Sequence, residues 1–224
     1  MLNQHGNAQV DQALTAVDQQ NPADPASFFV AWTDFRDYQW DIYASRSRTG
    51  TGFERNRRVD DAVGLERLHD HPALATDGAG TLHAVWADRR NQEPVTDIRY
   101  AHSSDDGQHF SASVIVDPSA RDVDPDTGTP SNQWHPALAV DGADVYIAWQ
   151  DNRSGDNDIF LAASRNGGTS FGPGERVDDS GADPSDQYRP ALAVDPGRAL
   201  YAAWEDQRYG PAAIAVARRA VSQF

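Results

Sequence analysis

Cysteine is absent from this 224-residue chain, and only one methionine is present. Without cysteine, no disulfide can reinforce a small core and no thiol can serve as a nucleophile or redox group. Long hydrophobic runs are missing too, since no stretch approaches the roughly 20 apolar residues that a membrane-spanning helix needs. The first residues, MLNQHGNAQVDQ, have no basic start and no apolar run, so no signal peptide is visible.

Basic residues are scarce: 19 lysines and arginines stand against 34 acidic residues, and the formal net charge is −15. A surface this acidic repels phosphate groups, which argues against nucleic acids and anionic membranes as partners. It suits divalent cations, basic proteins or neutral sugars. The chain also contains no His-x-x-x-His, no glycine-rich phosphate loop and no Gly-x-Ser-x-Gly turn, so zinc, nucleotide and serine-hydrolase functions have no support.

What the chain does contain is a repeat. Segment 71–90 returns as 135–153 and 189–208, and a degenerate copy covers 12–36. One tryptophan marks the same point of each copy, and the successive spacings are 54, 63 and 55 residues, for Trp32, Trp86, Trp149 and Trp204. A period near fifty residues predicts a repeat architecture, in which a residue is judged against its counterparts in the other copies.

Each unit contains four short strand signals rather than helices, because no unit shows a 3.6-residue apolar period. The first strand, PALAVD, is rich in alanine, and the second, such as VYIAW, is apolar on both faces. Antiparallel strands covered on both sides, with small residues on a crowded innermost strand, predict an all-β fold, a small β-propeller of four four-stranded blades. The blades are expected at about 12–61, 71–118, 135–180 and 189–219 of a single domain, 1–224.

The last unit ends after its third strand signal, near Arg219. Residues 6–11 resemble 173–178, which lead into a fourth strand, so we expect the amino-terminal strand to pair with the last blade and close the ring. Alternatively, the chain is part of a larger ring that a second copy or further sequence completes.

Two turns between third and fourth strands share a spacing of serine, aspartate or asparagine, glycine and phenylalanine. These positions are Ser103, Asp105, Gly107 and Phe110 in one unit, and Ser164, Asn166, Gly168 and Phe171 in the next. They resemble the Asp-box, Ser-x-Asp-x-Gly-x-x-aromatic, of sialidase-like propellers with bacterial neuraminidase repeats. The polar side chain accepts backbone N–H groups and glycine permits positive φ, so the motif is expected to clasp a hairpin.

The resemblance implies the propeller fold far more strongly than a function. A sialidase uses three arginines on the substrate carboxylate, a Tyr/Glu nucleophile couple and an acid aspartate. Tyr188-Arg189-Pro190 with Glu205 and Arg208 resembles parts of that set, which makes Arg189, Glu205 and Arg208 the catalytic alternative. No Tyr/Glu pair with the family's spacing is found.

Candidate ligand-binding residues fall at the blade end opposite the Asp-box turns. The sequence Trp-x-Asp-x-Arg recurs in every unit, and its fourfold recurrence favours a structural ion pair, while a ring of guanidinium groups that binds a carboxylate is the functional alternative. The residue before each first-strand proline shares that end, as do several aromatic residues that are suited to stacking on sugars. The candidates are Arg36, Arg90, Arg153, Arg208, His71, His135, Arg189, Trp40, Trp134 and Tyr188.

Alternating carboxylates in one link suggest a calcium loop as the single cofactor candidate. Asp122, Asp124 and Asp126 precede Gly128, and hard oxygen ligands at this spacing can wrap a cation. The glycine comes one residue late and no bidentate glutamate follows, so a solvated turn remains the alternative.

The scaffold motifs recur in several units, but the residues that a sialidase needs for catalysis are not all found. This combination predicts a non-catalytic Asp-box propeller that binds a glycan or a protein partner on its loop-rich face. A sialidase-like glycoside hydrolase and a structural or assembly subunit without a pocket are the alternatives. We expect an extracellular or periplasmic location, and a homo-oligomer if the ring is completed between chains.

Overall fold

The computed structural model describes residues 9–18, 28–36, 38–49, 51–63, 68–92, 95–118, 131–178, 185–209 and 213–224. These residues form four antiparallel sheets in chain order. Blade 1 comprises β1 (Gln9–Asp18), β2 (Phe28–Arg36), β3 (Gln39–Ser47) and β4 (Arg57–Arg58). Blade 2 comprises β5 (His69–Thr76), β6 (Leu82–Gln92), β7 (Val95–Ser103) and β8 (Val114–Ile115).

The third and fourth sheets repeat this meander. Blade 3 comprises β9 (Gln133–Asp141), β10 (Asp144–Asp151), β11 (Asp158–Ser164) and β12 (Glu175–Arg176), and blade 4 comprises β13 (Gln187–Asp195), β14 (Ala199–Asp206) and β15 (Ile214–Ala220). Short 3-10 turns follow β14 and β15. Among the described residues, no helix is long and apolar enough to cross a membrane. The fold is all-β, with four blades of a β-propeller.

The alanine-rich first strands lie innermost, where neighbouring blades come closest together and leave room only for small side chains. β1 packs against β5, β5 against β9, and β9 against β13. No comparable packing joins β1 to β13 in the part of the chain that the structure describes, so the blades follow one another without a closed ring.

The predicted closure by residues 6–11 is wrong where the structure describes it. Gln9, Val10 and Asp11 pair with Phe35, Asp34 and Thr33, so they begin the first strand of blade 1. The sheet of blade 4 has three strands among the described residues, and residues 6–8 lie outside them. The physical reason is that the first strand of a blade extends past the pre-proline position toward the amino terminus. In blade 2, for example, it begins at His69, two residues before His71.

Three apolar cores lie between neighbouring blades, since the second strand of each blade is apolar on both faces. In every core, the second and third strands of one blade pack against the side of the next blade that carries its repeat tryptophan, which we call the tryptophan side. The members are Phe29, Ala31, Ile42 and Ala44 with Leu82, Ala84 and Trp86, then Val85, Ala87, Ile98 and Tyr100 with Val145, Ile147 and Trp149, then Tyr146, Ala148, Ile159 and Leu161 with Leu200, Ala202 and Trp204.

The two Asp-box-like turns make the same hydrogen bonds. The Ser103 hydroxyl donates to Asp105 at 2.8 Å and accepts from the Gly107 N–H at 2.9 Å, and Ser164 does the same with Asn166 and Gly168 at the same distances. The Phe171 ring stacks edge-on against Tyr100 of blade 2, with centroids 5.3 Å apart. These turns therefore fasten a hairpin and fill the space between two blades.

Candidate functional site

Three pre-proline residues share an unusual backbone conformation at one end of the blades. His71, His135 and Arg189 have φ values of 52°, 50° and 49°, in the left-handed region that residues with a side chain rarely adopt. Each lies at or beside a shift in the pairing of the first and second strands of its blade. Such strain persists only where the surrounding structure enforces it, and it clusters at functional sites. We call the end of the blades that carries His71, His135 and Arg189 the axial face.

The two histidines of the axial face are in direct contact. The ring centroids of His71 and His135 are 4.1 Å apart at an angle of 64°, and Nδ1 of His71 lies 2.8 Å from an Asp70 carboxylate oxygen. Burial, together with the nearby His71 and Arg189, lowers the pKa of His135 to about 4. His135 is therefore neutral at pH 7 and can both donate and accept hydrogen bonds.

Arg189 and Glu205 provide the charged part of the axial face. Nη1 of Arg189 lies 3.1 Å from Oε1 of Glu205, and the two side chains are 65% and 45% exposed. Tyr188 precedes Arg189, and burial together with the Asp186 carboxylate raises its pKa to about 12. Trp134, which precedes His135, is half-buried. Neighbouring inner strands thus bring a histidine pair and an exposed Arg–Glu pair to the same end of the blades.

The Trp-x-Asp-x-Arg residues form a clasp in all four blades. Each tryptophan Nε1 donates to the aspartate two residues later, at 2.8, 2.9, 2.9 and 3.2 Å in chain order. The arginine two residues further on forms an ion pair with the same carboxylate, in the pairs Arg36–Asp34, Arg90–Asp88, Arg153–Asp151 and Arg208–Asp206. All four carboxylates are buried, which supports the structural interpretation of this motif.

Two of these arginines also reach the preceding blade. Arg90 forms an ion pair with Asp61 at 2.5 Å, and Arg153 forms one with Asp117 at 2.9 Å. The residues of the catalytic alternative belong to two separate ion pairs. Nε and Nη2 of Arg208 donate to Asp206, whereas Arg189 pairs with Glu205.

The other aromatic candidate lies away from the histidine pair. Trp40 packs against Phe35 within blade 1, with ring centroids 4.8 Å apart, and forms a single bridge with Leu68. Its contacts are those of a residue that covers a neighbouring loop.

The calcium candidates Asp122, Asp124 and Asp126 lie outside the described residues. Within the described ranges, Asp41, Asp60 and His69 bring three potential metal ligands together. Arg58 occupies this cluster, since its Nη2 lies 2.8 Å from Asp41 and 2.7 Å from Asp60. Because the guanidinium already supplies the positive charge, we interpret the cluster as a buried ion-pair network between blades 1 and 2.

Sequence reasoning missed His69, which is fully buried between carboxylates of two blades. Its Nδ1 lies 3.1 Å from Asp88, and its Nε2 lies 3.7 Å from Asp60. The close approach of His69 and the hydrogen bonds from Arg90 hold the pKa of Asp88 well below its usual range despite burial. A signal was present, because glutamines occupy the equivalent positions, Gln133 and Gln187, and are equally buried.

Comparisons with known proteins find the fold and no family. No family model and no curated protein matches the chain. Among solved structures, a Hadza microbial sialidase is 19% identical with a TM-score of 0.61, covering 91% of this chain and 43% of its own. A Penicillium chrysogenum α-L-arabinanase complexed with arabinobiose is 16% identical with a TM-score of 0.62, covering 94% and 63%. The GH93 α-L-arabinofuranosidase of Fusarium graminearum, also with arabinobiose, is 13% identical with a TM-score of 0.63, covering 93% and 62%.

The chain spans less than two thirds of the length of each of these three proteins. At such low identity the likeness concerns the fold alone. At that level, the chain has a β-propeller fold similar to that of the sialidase.

Proposed function

We propose that the protein is a non-catalytic propeller that binds a glycan at its axial face. The observation that carries this proposal is the repeated placement of His71, His135 and Arg189 in one strained pre-proline conformation, with the two histidine rings touching. Strained backbone at polar residues clusters at ligand-binding sites, and these three residues are exposed or half-buried. The same proposal places the protein outside the cytoplasm.

The chemistry of the axial face suits sugar hydroxyl groups. Neutral His135 offers a donor and an acceptor, Arg189 offers a fork of donors, and Glu205 offers acceptors. The half-buried Trp134 and Tyr188 directly precede His135 and Arg189 and are suited to contact the apolar face of a sugar ring. The acidic surface, with a net charge of −15, disfavours phosphate-bearing ligands.

A binding role fits better than hydrolysis because the charged residues neutralise one another. Arg189 is paired with Glu205, and Arg208 with Asp206. A sialidase-type site would require several arginines directed at one substrate carboxylate and a separate acid–nucleophile set. Hydrolysis by Arg189, Glu205 and Arg208 remains the alternative, and a protein partner at the same face is a further outcome of the test.

Calorimetric titration with arabinobiose and with sialyllactose, preceded by a glycan array, tests the proposal. We expect binding to one glycan class, and a loss of at least about tenfold in affinity, about 1.4 kcal/mol, in Arg189→Ala and in His135→Ala. Arg198→Ala is the matched control, because Arg198 is exposed at the opposite end of the β13–β14 hairpin.

Hydrolysis of fluorogenic sialosides and arabinofuranosides is measured in parallel. Turnover that disappears in Arg189→Ala would replace binding by catalysis. Absence of binding to every glycan on the array would refute the proposal.

A further inference from the structure

The outward surface of blade 4 carries exposed apolar side chains between Glu205 and Arg218. Ile214 and Val216 on β15 are 64% and 67% exposed, and Tyr201 on β14 is 37% exposed. Strand pairing places Val216 opposite Ala203 and Ile214 opposite Glu205, while Tyr201 lies opposite Ala193 of β13. These side chains share one side of the sheet and form a continuous patch across three strands. We call this patch, Ala193, Tyr201, Ala203, Ile214 and Val216, the end face.

The counterparts of Ile214 and Val216 are buried in every other blade. Position by position, the repeat aligns Ile214 and Val216 with residues of the third strands that are at most 3% exposed: Ile42 and Ala44, Ile98 and Tyr100, and Ile159 and Leu161. The next blade covers each of these pairs. The end face therefore has the chemistry of a blade-to-blade core, and exposed patches of this kind mark interaction surfaces.

The surface that covers such a face in this fold is always the tryptophan side of a following blade. Blade 1 has this side too, formed by Phe28, Val30 and Trp32, and no blade of the described chain precedes it, although Trp32 itself is only 1% exposed. Phe28 and Val30 are half-buried. The end face of blade 4 and the half-buried Phe28 and Val30 of blade 1 thus present complementary parts of an interface that the molecule already forms three times.

We propose that blade 1 of a second copy of this chain covers the end face, in a head-to-tail contact. Leu161 of blade 3 and Ala202 of blade 4 line the same interblade space, and they are the internal counterparts of Val216 and Val30. Val216 of one copy therefore lies against Val30 of the other. Such heterologous contacts give a ring where the rotation closes and a longer assembly where it does not.

Charge favours this arrangement over the pairing of two end faces. Arg218 is exposed beside Tyr201, and a two-fold contact would bring two copies of it together. In blade 1 the counterpart of Arg218 is Arg46, which reaches across to Asp106 of the next blade at 2.6 Å. A positive charge at this position is thus compatible with a head-to-tail contact. The net charge of −15 on each copy opposes association at low salt, so moderate salt strengthens it.

Cysteine cross-linking distinguishes the orientations, because the native chain contains no cysteine. We expect a mixture of Val30→Cys and Val216→Cys chains to form a disulfide-linked dimer under mild oxidation, read on a non-reducing gel. Each variant alone remains uncross-linked. A disulfide in Val216→Cys alone, or none in the mixture, overturns the head-to-tail contact.

Light scattering after size exclusion tests association independently of the cross-link. The native protein in moderate salt is expected to have at least twice the monomer mass, and Val216→Glu to return to the monomer while its circular dichroism is retained. Val63→Glu, which alters another exposed valine, is the control and leaves the mass unchanged. A native protein that is monomeric at every concentration tested overturns the proposal, and glycan binding is unaffected by that result.

Discussion

At the scale of single residues, buried charges determine how the blades are held together. Asp88 accepts from Trp86 Nε1 and from Arg90, and it lies 3.1 Å from His69 Nδ1. A buried carboxylate with this many partners is an acceptor that neither water nor another residue can replace. The aspartates of the other three clasps are equally buried, so each blade depends on one such residue.

Asp88→Ala is expected to lower the free energy of unfolding by about 3 to 5 kcal/mol, because it removes the acceptor of the buried Trp86 N–H and leaves the buried Arg90 with Asp61 as its remaining ion-pair partner. Urea titration followed by tryptophan fluorescence measures the change. Asp195→Ala is the control, since Asp195 is partly exposed and 3.9 Å from Arg198, and is expected to change stability by no more than about 0.5 kcal/mol. Equal effects in the two variants would contradict the role of the clasp.

Histidine burial predicts the dependence of stability on pH. Burial lowers the pKa of His83 and of His135 from 6.5 to about 4. The unfolded chain therefore binds more protons than the folded chain between these values, and stability falls as the pH is lowered from about 6.5 to about 4. In His135→Gln this slope is expected to be shallower. Urea midpoints at several pH values give the slope, and an unchanged slope would show that His135 contributes nothing.

At the scale of elements, turns decide how closely two blades approach. Gly168 has a φ of +83°, and a Cβ at this position would overlap the Tyr100 ring of blade 2. The preceding Gly167 also has a positive φ, of +69°, but open space surrounds its Cα. One turn therefore contains a glycine required by backbone conformation alone and a glycine required by conformation and by close packing.

Substitution of the two glycines separates these causes. Gly167→Ala is expected to cost about 1 to 2 kcal/mol for the left-handed backbone. Gly168→Ala adds about 1 to 3 kcal/mol for the overlap with Tyr100. Thermal or urea unfolding measures both, and the comparison fails if Gly168→Ala is no worse than Gly167→Ala.

At the scale of the whole molecule, the repeat made the four blades predictable, because the tryptophan strand and the Asp-box-like turn recur in register. The pre-proline histidines were also found from the repeat, although their left-handed backbone leaves no sign in the sequence. The prediction that residues 9–11 close the ring was wrong, because these residues begin the first strand of blade 1. Their polarity is similar to that of the residues that begin the other first strands, so composition does not distinguish the two roles. The repeat aligns His69 with Gln133 and Gln187, but its partners Asp60 and Asp88 come from different units, so the local sequence does not predict the network.

The unequal covering of the four sheets implies a gradient of local stability along the chain. Both faces of β10 are enclosed by neighbouring blades, whereas in a single copy β15 has solvent on one side. In a stack where each sheet is supported only by its neighbours, opening begins where support is least. The fourth sheet would then fray before the third loosens, and proteases would enter the molecule from that end.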